Sequence, residues 1–384
     1  MLLNSGKESH FKILNTKRVR RGTKMKRFLK MLFVMTMILS LVITATGCQS
    51  NEETPTTEAA AGGTTAASEE TTEAKTSGRK EVVKIICPYG VGGTADAIAR
   101  MYGKVAGDLY PEYEFVVENK TGGDGFVAAA YYQNVDVNAK ELFVLGYGNA
   151  YRHDIGKQFG TEQVPYDLSK FLPLATVDDR TWILYAAPGT TLESVIEKAK
   201  AGSLKMSGGN PLSDPHLALG SLLALEGGKV TVVGYDGGAA QKQGLVSGEV
   251  DVFVGTTQAG MEEVEVGSLI PILAFSEKSY EGFKGPEGML SVPGLVENRA
   301  SALDASKDYS GSILMAGGFV AGRTGTDQAW ADKVIEISKA VWNTAEYSEW
   351  IAEIGLNRFE VYGADAEQLL VDSIQKAIGA YKLL

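Results

Sequence analysis

VVKIICPYGVGGTADAIAR, residues 82–100, reads as a strand, a glycine turn and the opening of a helix. Val82, Val83, Ile85, Ile86 and Cys87 form a short β-branched run of the kind a doubly covered parallel strand needs. Pro88 ends it, since proline has no N–H for the ladder. Gly90, Gly92 and Gly93 let the backbone turn tightly and approach another molecule. Thr94 is the expected N-cap of a helix running on through Met101. A turn of this kind leaves backbone N–H groups at a helix N-terminus, where an anion is stabilised.

Three patterns compete for the turn. The phosphate-cradling loop needs Lys-Ser/Thr after its last glycine, and Thr94-Ala95 stands there instead. The dinucleotide fingerprint fits Gly90-x-Gly92-x-x-Ala95, with Glu118 ending the next strand where a ribose-binding acid would sit. The third pattern is P-[FY]-x-x-G-G-x-x-D-x-x-A-R, met by Pro88, Tyr89, Gly92, Gly93, Asp96, Ala99 and Arg100. On it the chain resembles the substrate-binding receptors of tripartite tricarboxylate transporters, the Bug family. Glu118-Asn119-Lys120-Thr121-Gly122-Gly123-Asp124-Gly125 resembles that family's V-E-N-K-x-G-A-G-G segment, and Gly248–Phe253 its G-x-V-D-[VL]-x-F.

The front of the chain decides between the last two patterns. Lys26, Arg27 and Lys30 precede an apolar stretch, Met31–Ile43, too short for a comfortable membrane span. Ala45-Thr46-Gly47-Cys48 then reads as a lipobox, with Cys48 the lipidated residue. Whether translation starts at Met1 or Met25 is open. Asn51–Ser77 is nearly all Glu, Thr, Ala, Gly and Ser and is expected to be a disordered tether. The expected location is therefore extracytoplasmic, held to the cell membrane by lipid. That compartment holds no useful nicotinamide pool, which disfavours the dinucleotide reading. With two cysteines in all, a disulfide framework is not indicated, and Cys87 reads as a small buried hydrophobe.

The chain carries a formal charge of −10. Residues 1–47 carry about +9, so the remainder is near −19. A field of that sign disfavours nucleic acid. An anionic ligand must then be held by local dipoles, which act within the distance over which salt screens the rest.

The resemblance runs from Val82 to the C-terminus. It implies an α/β fold of two periplasmic-binding-protein (Venus-flytrap) domains, with mainly parallel sheets and two inter-domain crossings. The expected parts are a leader over 1–47, the lipidated cysteine and linker over 48–81, domain one from 82–186 and 313–384, and domain two from 187–312. Trp182–Ala187 reads as the strand leading to the first crossing, and 277–308 as a loop-rich stretch. Gly146-Tyr147-Gly148-Asn149 reads as a polar turn at a strand end, where ligands gather in open α/β sheets. Ser207-Gly208-Gly209-Asn210 is the facing turn; Ser207, Gly209 and His216 match the family's G-S-x-G-x-G-S-x-x-H. Met206, Pro211 and Leu212 depart from it, and Asp236 stands where the family has lysine. These departures point to a different or smaller ligand than the usual dicarboxylate.

The implied function is capture of a small carboxylate and its delivery to membrane transporter subunits, by a monomer without cofactor or metal. The candidate ligand-binding residues are Tyr89, Gly92, Gly93, Thr94, Asp96, Tyr147, Asn149, Ser207, Gly208, Asn210, His216 and Thr257. The expected grip is by main-chain amides of Gly92, Gly93 and Thr94 against Ser207 and the 208–210 backbone, without basic side chains. Asp96 either favours the helix dipole or meets a ligand amine or hydroxyl. The alternatives are an exported carboxylate-dependent hydrolase and a ligand sensor for a signalling partner. No G-x-S-x-G elbow, H-E-x-x-H pair or cysteine cluster supports an enzyme.

Overall fold

Val83, Ile85, Ile86 and Cys87 are all fully buried, because β1 (Glu81–Cys87) lies inside a sheet rather than at its edge. It pairs in parallel with β2 (Tyr113–Asn119) and β3 (Glu141–Gly146). The computed structural model describes residues 79–235 and 237–384; the leader, Cys48, the tether through residue 78, and Asp236 lie outside the described residues.

The first sheet has the order β2-β1-β3-β12-β4, with β4 at Phe171–Arg180 and β12 at Ala316–Arg323. Helices α1 (Thr94–Leu109), α2 (Phe126–Tyr132) and α3 (Tyr147–Phe159) follow its first three strands. The second sheet has the order β7-β6-β8-β5-β9. Its strands are β5 (Trp182–Ala186), β6 (Lys205–Gly208), β7 (Thr231–Gly234), β8 (Val252–Thr256) and β9 (Ile270–Phe275). Helices α4 (Leu192–Lys200), α5 (Asp214–Leu225), α6 (Gly238–Val246) and α7 (Thr257–Glu265) connect them. Thr191 caps α4 through its side chain, in a reciprocal pair with Ser194.

Four strands of each sheet run one way, and one strand, β12 or β5, runs against them. The reversed strands are those that enter each sheet from the other. A chain arriving from the neighbouring lobe starts at the carboxyl ends of the parallel strands, so it must run away from them.

One expectation is corrected. The expected boundary after residue 186 is too late: β5 hydrogen-bonds between β8 and β9, so the first crossing falls at Thr181, between β4 and β5. Trp182–Ala186 is apolar enough for either sheet; pairing decided. The loop-rich stretch 277–308 also holds an antiparallel hairpin of β10 (Tyr280–Gly285) and β11 (Gly288–Val292). It packs Phe283 and Val292 onto the second sheet's core.

The chain ends in α8 (Gln328–Trp342), α9 (Ala345–Glu353) and α10 (Ala364–Tyr381). Trp342 is fully buried and its indole N–H donates to the Thr176 carbonyl at 3.0 Å. Burial of such a ring contributes about 1.5–3 kcal/mol. Tyr347 likewise donates to Val177 O at 2.8 Å. Apolar packing is continuous from the first sheet (Phe143, Phe319) through α10 (Leu370, Ile374) to the second (Met206, Val252).

Candidate functional site

Four helices begin where strands end: α1 after β1, α3 after β3, α5 after β6 and α7 after β8. Their N-termini bring partial positive charge to the region between the sheets. The two halves touch there. Thr94 Oγ1 donates to Gln258 Oε1 at 2.6 Å, and Asn210 Nδ2 donates to Asp124 Oδ2 at 3.0 Å. Thr257 Oγ1 donates to the Gly355 carbonyl.

The glycine turn is exposed, with Val91 at its tip. Gly92 sits at φ +83°, where any other residue is strained. The N-cap of α1 is Gly93, not Thr94, and it makes no side-chain cap bond. Thr94 is instead turned toward Gln258. Two of the three expected amide donors are spent inside the turn: Gly92 N–H donates to Asp96 Oδ2 at 2.9 Å and Gly93 N–H to Gly90 O at 3.2 Å. Asp96 is buried and also accepts from Asn119 Nδ2 at 2.8 Å and Arg100 Nη2 at 2.8 Å. Burial opposes its charge, but Arg100, Gly92 and Asn119 together hold its carboxyl below the usual range. Its place is that of a brace for the turn.

The second strand end differs from the expected polar turn, because Tyr147-Gly148-Asn149 is already the first turn of α3. Asn149 is buried and engaged: it accepts from Tyr89 OH at 3.2 Å and donates to Asp124 O at 3.1 Å. Tyr147 is buried to 1%, and its hydroxyl has no hydrogen-bond partner. Ser207 Oγ, at 0% exposure on β6, has none either. Gly208 O accepts from Tyr235 N–H at 2.9 Å. His216 Nδ1 lies 2.5 Å from Pro211 O on the flank of α5. Burial lowers the His216 pKa.

Several residues at this meeting place were not among the expected ones. Arg180 ends β4; Nε and Nη2 bond Asp178, the latter at 3.4 Å, and Asp178 is fully buried. Asp214 opens α5 from the other half and lies against α3: a Cβ on Gly148 would stand 2.7 Å from Asp214 Oδ1. Burial first, and Asp124 second, push the Asp214 carboxyl up to about 7, against the pull of Arg180 and Arg152. Burial likewise raises Asp179 to about 6. Burial and the charges of Asp124 and Asp214 raise the Tyr89 hydroxyl, which Arg180 partly offsets. The one sequence signal for this was Asp178-Asp179-Arg180, three charges at the carboxyl end of an apolar strand.

Two surface hollows lie elsewhere, one beside Lys242 and Glu263, the other beside Glu193 and Arg299. Among the described residues no group of acidic, histidine or cysteine side chains is placed to hold a metal ion. None of the described helices is long and apolar enough to cross a membrane.

No family model matches the chain. In sequence it is similar to the UPF0065 protein in the gbd 5' region of Cupriavidus necator. The identity is 24% over 296 residues, which is 77% of this chain and 84% of that protein. Its fold is similar to that of R. palustris Rpa4515, solved with adipate, at TM-score 0.62 and 19% identity, covering 79% of this chain and 96% of that one. The periplasmic binding protein BugD matches at TM-score 0.62 and 18% identity, over 79% and 97% of the two chains. MatC from Rhodopseudomonas palustris, solved with malate, matches at TM-score 0.61 and 16% identity, over 78% and 98%. The chain therefore has the periplasmic-binding-protein fold that the motif at Pro88–Arg100 implied, and the resemblance extends over both sheets.

Proposed function

We infer that this chain is a solute receptor of the tripartite tricarboxylate, or Bug, type, which captures a small organic carboxylate between its two sheet-bearing lobes and passes it to a membrane transporter. The observation that carries the reading is the convergence of four helix N-termini, two from each lobe, on one interface that the chain crosses twice. Helix N-termini stabilise an anion without a net positive protein, which suits a chain this acidic. Two crossing segments form a hinge, and hinge closure on ligand is well suited to binding proteins. The lobes are 82–180 with 316–384, and 182–312.

The ligand-facing set is read as Tyr89, Thr94, Tyr147, Ser207, Gly208, Asn210 and Thr257, with Arg180 and Asp214 added; Gly92, Gly93, Asp96 and Asn149 shape the walls. Lipidation at Cys48 tethers the receptor outside the membrane, and it acts as a monomer without catalysis. Support for the tether is the basic, apolar and small-residue sequence of 26–48.

A thermal-shift screen of mono-, di- and tricarboxylates tests the reading, because a ligand that binds only the native form raises its melting point. A rise with one carboxylate class, confirmed by calorimetry at one site per chain, is expected. No shift with any carboxylate, with or without further functional groups, refutes it.

A further inference from the structure

Asp124, between β2 and α2, has a backbone that favours glycine. Its φ is +53° and its ψ +46°, and Gly122, Gly123 and Gly125 around it all have positive φ. The V-E-N-K-x-G-A-G-G segment that this stretch resembles has glycine at the same place. Among the described residues Asn298 is the other non-glycine residue with positive φ. A side chain held in the left-handed region costs free energy that glycine avoids, and such residues persist where the surroundings over-determine them.

The Asp124 carboxylate reaches across the lobe boundary. Oδ2 accepts from Asn210 Nδ2 at 3.0 Å, and a Cβ on Gly209 would stand 3.5 Å from the same oxygen. Each partner is already set on its own lobe. Arg152, buried on α3, donates from Nη1 to Gly123 O at 3.2 Å and to Asp124 Oδ2 at 3.3 Å. Glu162 holds the far side of that guanidinium, which lies over the Phe126 ring. Asn149 Nδ2 donates to Asp124 O at 3.1 Å. On the second lobe, Asn210 Oδ1 accepts from Leu212 N–H at 2.8 Å, which orients the amide so that Nδ2 donates to Asp124. Groups fixed in advance lose little rotamer freedom when they meet. Thr94 and Gln258, on α1 and α7, make a second side-chain bond over the same boundary at 2.6 Å.

We propose that Asp124 is a closure residue: with Asn210 it latches the two lobes together before ligand arrives. It is a positioning residue, acting through Asn210 to seat the Ser207–Asn210 turn against the first lobe. Release of the latch is then the step that admits ligand. A hydrogen bond to a half-exposed carboxylate shifts such an equilibrium by roughly 3- to 10-fold. The proposal goes beyond the receptor reading, and its test needs no ligand, so either can fail without the other.

The test is small-angle X-ray scattering of the purified protein without added carboxylate, wild type beside Asp124→Gly, Asp124→Asn and Asn210→Ala. The radius of gyration, about 19 Å for a compact body of this size, should rise by roughly 1 Å in Asp124→Gly and in Asn210→Ala. The double variant should rise no further than either single one, because both remove the same bond. Asp124→Asn keeps an oxygen for Asn210 and tolerates the left-handed backbone, so it should scatter like wild type. Asn210→Ala leaves Asp124 with Arg152, so it separates the latch from a purely local role of the carboxylate. Wild-type scattering from Asp124→Gly or from Asn210→Ala overturns the proposal. So does an Asp124→Asn that expands as far as the glycine variant. If Asp124→Gly fails to fold, Asn210→Ala and Asp124→Asn decide.

Discussion

Asp214→Asn bears on stability in the absence of ligand. The carboxyl is raised from 3.8 to about 7 by burial and by Asp124. Between those values the native protein keeps a proton that the unfolded chain releases. Native protein therefore binds more protons than unfolded protein across that window, and stability falls as pH rises through it. The gap corresponds to a ceiling of about 4 kcal/mol at pH 7 and above. Asp214 is partly exposed, so solvent screening brings the working figure to roughly 2 kcal/mol. For a body of this size that is a difference of roughly 3 °C in melting temperature. Asparagine has no proton to lose. The assay is differential scanning calorimetry of both proteins, ligand-free, from pH 4 to 8. The two should melt alike near pH 4, and Asp214→Asn should melt progressively higher as pH rises toward 8. A difference in melting temperature that stays flat across the range would refute the reasoning, since it would mean that Asp214 titrates normally in the native state. The groups acting on Asp214 are Asp124, Arg180 and Arg152, with the Tyr89 and Tyr151 hydroxyls also within its field.

Gly148→Ala would put a methyl 2.7 Å from Asp214 Oδ1; closure is obstructed, and ligand affinity measured by calorimetry should fall roughly 10-fold or more, while circular dichroism is unchanged. Gly92→Ala imposes a φ of +83° on a residue with a Cβ, in otherwise open space. The expected loss is about 1–2 kcal/mol in denaturant unfolding. Asp96→Ala strips the partner from Gly92 N–H, Asn119 and Arg100; a loss of about 1–3 kcal/mol is expected, with faster amide exchange at residues 90–94. Trp342→Phe leaves the Thr176 carbonyl without its indole donor and should cost about 1–3 kcal/mol in the same unfolding assay.

Local pattern determined much of this protein. The β-branched run at 82–87, the proline after it and the glycines at 90–93 specify strand, stop and turn by backbone chemistry alone, and β1 and α1 follow. The buried Cys87 was legible in the same way, from residue type and place in the strand. The glycine turn was found, but its donors were miscounted, because nothing in the spacing says that Asp96 folds back onto Gly92. Trp182–Ala186 was read correctly as a strand but assigned to the wrong lobe, because an apolar run says that a strand is buried and not which strands it pairs with.

Tertiary structure decided the rest. Thr94 meets Gln258 across 164 positions and Asp124 meets Asn210 across 86. Gly148 and Asp214 come together only because β5 and β12 turn the chain from one sheet into the other. Periodicity reports which face of an element is buried. It carries no record of which distant element does the burying, since that is fixed by the closing of long loops and by the charges and cavities that survive it.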